Sequence, residues 1–175
     1  MSRRLLNTFE QTEARLVFGD GLDYARAWVW ENMPVPNWIA DVGAALRLQR
    51  RTSNNAVTLG DISYFPVALR VEADPSHMSW LIHELTHQWQ FQRAGWRYLW
   101  EATGVQLREG PKGYDYMKGL PSKEAALVEA KASGKRLADF NREQQGDLAR
   151  DYYTHLKQGY DVSAWAPFIA EFSRV

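Results

Sequence analysis

The stretch that decides the fold opens at Asp74-Pro75-Ser76, passes through His83-Glu84-Leu85-Thr86-His87 and ends at Gly95. No Gly or Pro interrupts it after Pro75, and Asp74 or Ser76 can serve as N-cap, so it reads as one long helix. Trp80, Leu81, Leu85, Gln88 and Trp89 fall at the spacings of a buried stripe. On such a helix His83 and His87 project from one face, one turn apart, and can bind a single cation. Glu84 between them can take a proton from water at the open coordination position. The chain has four histidines (His77, His83, His87, His155), and two of them carry this HExxH motif. The plain alternative, two core histidines on an amphipathic helix, leaves two imidazoles and a carboxylate to be satisfied in the interior.

A catalytic zinc takes three protein ligands, so a third donor must come from elsewhere. The metzincin extension requires Gly at position 90 and His at position 93, and Gln90 and Arg93 exclude it. His77 lies off the motif face, near the helix start. Glu143 leads the candidates, ahead of Glu109, Glu101 and His155. It stands in Glu143-Gln144-Gln145-Gly146-Asp147, where two carboxylates one turn apart share a helix face. Glu143 can bind the cation, while Asp147 can accept from the distal nitrogen of a ligating histidine and orient it. Gly146, costly in mid-helix, would let this helix approach the motif helix closely. The bland reading of the same residues is a solvated acidic face beside Arg142 and Arg150.

Around these residues, 8–18 reads as a helix stopped at Gly19, and 24–30 alternates like a strand. Residues 38–50 suit a helix, as does the short run 96–101. Residues 56–65 read as a hairpin turning at Gly60-Asp61. Such a strand upstream of the motif helix can hold an extended peptide through its backbone. A long Gly- and Pro-bearing loop over 108–121 precedes a helix running from 122 to about 139. Asn141-Arg142-Glu143 opens a last long helix to about Gln158, carrying Tyr152, Tyr153 and His155 as candidate oxyanion stabilisers. The expectation is an α+β fold, a single domain over residues 1–175, in which a short mixed sheet packs on helices.

Composition narrows the partners. Twenty-one basic residues balance twenty-one acidic ones, which offers no global field for nucleic acid or an anionic membrane. No cysteine is present, so disulfides, thiolate metal sites and a cysteine nucleophile are all excluded. The first residues lack the apolar run of a secretory signal, and no stretch approaches the ~20 apolar residues of a membrane span. A cytoplasmic protein is expected, with a non-classical export route left open. Eight Trp and eight Tyr, scattered along the chain, suit a heavy aromatic core better than one adhesive patch.

Ala56-Val57-Thr58-Leu59-Gly60-Asp61-Ile62-Ser63-Tyr64-Phe65, followed by His83-Glu84-Leu85-Thr86-His87-Gln88-Trp89-Gln90, resembles a known family. This is the minimal zincin core domain of extracellular contractile injection systems and Vgr-related proteins of type VI secretion loci. The resemblance covers about residues 14 to 92 and includes Phe18-Gly19-Asp20 and Leu22-Asp23-Tyr24. Glu143 and Asp147 match only locally, where Glu-x-x-Gly-Asp is similar to the gluzincin arrangement of heat-shock and CAAX-prenyl membrane proteases. The resemblance implies a Zn²⁺ peptidase with Glu84 as general base, a peptide or protein substrate, and secretion-apparatus proteins as partners. It equally accommodates a catalytically silent metal-binding structural or adaptor module of such an apparatus. A metal-free helical domain is the remaining reading.

Overall fold

The computed structural model describes residues 2–33, 56–95, 116–117 and 119–173. The helices expected over 38–50 and 96–101, most of the loop over 108–121, and the candidates Glu101 and Glu109 lie outside the described residues.

Strand β1 (Ser2–Leu5) leads into helix α1 (Thr8–Phe18), which begins where polar side chains satisfy its free N–H groups. Asn7 Oδ1 accepts from Glu10 N–H, and Glu10 Oε2 accepts from Asn7 N–H, both at 2.8 Å. Strand β2 (Trp28–Glu31) starts later than the alternation suggests. Asp23 holds residues 24–27 in turns, its carboxylate accepting from Ala25 N–H and its carbonyl from Arg26 N–H. Strands β3 (Val57–Leu59) and β4 (Ile62–Tyr64) form the expected hairpin, with Gly60 at φ +63° in the first turn position.

The sheet has order β1-β2-β4-β3, antiparallel at both edges and parallel between β2 and β4. The fold is therefore α+β with a small mixed sheet, as expected. Strand β1 has no apolar alternation, and its pairing with β2 is reinforced by Arg4, which bridges Glu10 of α1 and Glu31 of β2.

Helix α2 (Pro75–Ala94) carries the motif and crosses the molecule beside edge strand β3. Asp74 caps it by accepting from Ser76 N–H, and Pro75 occupies the first turn, where no N–H is needed. Helix α3 spans Lys123–Ala132. The reading that extended it to 139 is corrected: the chain turns at Ser133 and Gly134 and resumes as a single 3₁₀ turn, Leu137–Asp139. Helix α4 (Arg142–Gln158) opens on Asn141, whose side chain and that of Gln144 cap each other's backbone N–H.

A short helix α5 (Ala166–Ile169) was not foreseen. Its neighbourhood contributes Trp165, Phe168 and Phe172, all fully buried. Each such side chain adds roughly 1.5–3 kcal/mol of transfer free energy. Phe172 stacks edge-on with Phe18 and Trp89, and its carbonyl accepts from Trp89 Nε1 at 3.0 Å. That anchor fixes the rear of α2, while α4 lies along its motif-bearing side. No helix among the described residues is long and apolar enough to cross a membrane.

Candidate metal centre

Helix α2 sets His83 and His87 one turn apart, their rings edge-on at 5.0 Å between centroids. The two Nε2 atoms lie 3.2 Å apart. Helix α4 brings Glu143 against them, one carboxylate oxygen 3.5 Å from His83 Nε2 and the other 3.6 Å from His87 Nε2. Among the described residues, His83, His87 and Glu143 form a group of donors all within 4.8 Å of one another.

A tetrahedral cation with metal–donor distances of about 2.0–2.2 Å needs its donors roughly 3.3–3.6 Å apart. The two imidazole nitrogens lie 3.2 Å apart, close to that spacing, and each has a Glu143 oxygen within 3.6 Å, so these three residues are compatible with a metal site. The electrostatics agree. Burial opposes charge on His83, yet Asp147 and Glu143 beside it push its pKa up to about 10. His87 moves the other way, lowered chiefly by burial. The pocket thus stabilises one positive charge, a proton in the metal-free protein or a cation in its place.

At neutral pH the metal-free site carries its proton on His83, and a cation must displace it. Binding is expected to release about one proton, and apparent affinity to rise with pH as the proton on His83 becomes easier to displace. Calorimetry in buffers of different ionisation enthalpy measures this; a release of zero protons would remove His83 as the displaced acid.

The close approach of the helices depends on Gly146. A Cβ there would sit 2.8 Å from His83 Cε1 and 2.9 Å from its Nδ1. The ring has little room to retreat, since Asp147 Oδ1 is 3.1 Å from Nδ1 and Glu143 lies on the other side. Asp147 also holds Arg150 at 3.0 Å, and its contact with Nδ1 is an ion-pair distance too bent for a good hydrogen bond. Gly146→Ala gains about 1 kcal/mol of helix propensity but incurs about 1–3 kcal/mol of overpacking. The metal-free protein should lose no more than about 2 kcal/mol, while zinc affinity drops at least about tenfold as the ligand ring is displaced. A chelator-competition titration beside a thermal melt reads both effects. Undiminished affinity would mean that the ring can step aside.

Glu84 is almost fully buried, at 2% exposure, and its Oε2 accepts from Thr58 Oγ1 on β3 at 2.7 Å. Thr58 pairs across the hairpin with Ser63, their hydroxyl oxygens 2.8 Å apart. Ser63 accepts from Gln88 Nε2 at 2.7 Å, and that nitrogen also donates to Trp28 O at 2.9 Å. The bonds run in one direction, from the Gln88 amide through two hydroxyls to the Glu84 carboxylate. Sequence reading missed Thr58, Ser63 and this use of Gln88. Buried polar residues at inward strand positions were the available signal, but only the hairpin's register makes them neighbours.

Other candidates are placed elsewhere. Tyr153, a candidate oxyanion stabiliser, donates its hydroxyl to Glu13 Oε2 of α1 at 2.6 Å, tying α4 to α1. Burial and that carboxylate raise its pKa, so it stays a neutral phenol. Tyr152 is partly buried against the core. His155 packs its ring on Trp165 and Tyr160, at 4.7 and 5.9 Å, and is not in the converging group. His77 accepts from Arg70 N–H near the start of α2.

The comparisons with known proteins are sparse. No family model matches this chain, and no solved structure does. The chain is similar to the type VI secretion system spike protein VgrG2b of Pseudomonas aeruginosa, with 30% identity over 170 residues. The match takes in 94% of this chain but spans only 14% of the length of that relative.

Proposed function

We propose that this chain is a zinc-dependent peptidase module of the gluzincin type, associated with a secretion apparatus. The observation that carries the reading is the convergence of His83, His87 and Glu143, from two helices, beside the buried carboxylate of Glu84. Two imidazoles and a carboxylate are a donor set suited to Zn²⁺. When bound, such a cation supplies Lewis acidity, acidifying water and polarising a peptide carbonyl.

The chain's own residues do the rest. His83, His87 and Glu143 hold the cation, and Asp147 restrains the His83 ring from its distal side. Glu84, aimed by Thr58, takes the proton of the attacking water and delivers it to the leaving amine. Among the described residues strand β3 is a sheet edge next to α2, so an extended peptide can pair with it beside the site. The balanced charge of the chain supports a peptide or protein substrate over nucleic acid.

The likeness to a spike protein supports the secretion-apparatus association. It also favours a second reading, a catalytically silent metal-binding adaptor of the same apparatus. Metal analysis of the reconstituted protein and a broad peptide library, run with wild type and Glu84→Gln, decide between them. One bound zinc and cleavage lost in the variant are expected; zinc without cleavage in either protein would leave the adaptor.

A further inference from the structure

We propose that Gln145 and Gln90 are positioning residues that lock His87 in the tautomer protonated on Nδ1, so that its Nε2 lone pair faces the cation site. The proposal rests on the metal-site part of the function above, but its primary readout needs no metal.

The polarity is set at backbone carbonyls, which only accept. Gln145 Nε2 lies 3.1 Å from Leu137 O and 2.9 Å from Phe140 O, so this atom is the NH₂ and both its protons are used. Gln145 Oε1 is therefore the atom presented to Gln90, 2.8 Å from Gln90 Nε2. Gln90 Nε2 also lies 3.0 Å from Arg142 O. Flanked by two acceptors, it must be the amide nitrogen, which turns Gln90 Oε1 toward His87 Nδ1 at 3.0 Å.

An amide oxygen cannot donate, so Nδ1 carries the proton. In a neutral imidazole the other nitrogen then holds the lone pair. That nitrogen, Nε2, is the one 3.6 Å from Glu143 and 3.2 Å from His83 Nε2. Both glutamine side chains are buried, at 5% and 8% exposure, so water offers little competition for these bonds. Leu137 and Phe140, on the 3₁₀ turn and just after it, thus determine which nitrogen of a ring on α2 is free to ligate.

Proton–nitrogen correlation NMR of the imidazole rings in the metal-free protein tests this. Wild type should show His87 as a single Nδ1-protonated tautomer; an Nε2-protonated ring or an even mixture overturns the proposal without any variant. Gln145→Met leaves the residue in contact with His87 unchanged and leaves Gln90 Nε2 with the Arg142 carbonyl as its remaining acceptor, so the Gln90 amide is held less firmly and the share of the Nδ1-protonated tautomer should fall. An unaltered spectrum in a folded variant would remove Gln145 from the relay. Zinc titration should show a loss of about 10–100-fold in Gln90→Met. Equal zinc affinity in Gln90→Met and wild type overturns the role of Gln90. A protein that shows the lock and binds zinc yet cleaves no peptide supports this proposal while ending the peptidase reading.

Discussion

Glu84→Gln is expected to bind zinc as wild type does and to lose peptide hydrolysis by about 10²–10⁴-fold, the usual contribution of a general base. The substitution is nearly isosteric, and the amide oxygen can still accept from the Thr58 hydroxyl, 2.7 Å from Oε2 in the native chain. The three cation donors are untouched, so folding and metal content should not change. On the proposed function, what disappears is the ability to take a proton from the attacking water and return it to the leaving amine. Mass-spectrometric analysis of a peptide library checks this; indistinguishable products from both proteins would make Glu84 a structural group of the hydrogen-bonded chain behind it.

The second large effect concerns metal retention. Removing the Glu143 carboxylate takes away a donor lying 3.5 and 3.6 Å from the two imidazoles, along with the charge that offsets the cation. Replacing a residue that merely supports a ligand costs about 10–100-fold in affinity, so Glu143→Ala should weaken zinc binding at least about 100-fold. Thermal stability reports the same change. At zinc a hundredfold above the wild-type Kd, ligation adds about 2.7 kcal/mol to wild type but only about 0.4 kcal/mol to such a variant. Unchanged affinity would pass the third-ligand role to Glu109 or Glu101.

Much of this site was legible because helices translate spacing into direction. His83 and His87 share a face whatever they pack against, and α2 begins and ends at capping signals visible in the chain. Glu143, Gly146 and Asp147 were readable for the same reason, since positions three and four apart lie on one side of α4. Strand β1 and helix α5 were not readable. The first has no apolar alternation and depends on pairing with β2, and the second is a four-residue turn held by the aromatic side chains around it. The bond from the Tyr153 hydroxyl to Glu13 was not readable, because position along α4 says nothing about α1.

Local chemistry written along the chain therefore specified the motif helix, the hairpin and the donor types, each governed by neighbours within a few residues. Tertiary packing alone decided that Glu143 meets the imidazoles, that Thr58 aims Glu84, and that Gln145 reaches Gln90 across 55 residues. Those contacts depend on strand register and on how closely two helices approach, quantities set by side-chain volume in the core and encoded in no single segment.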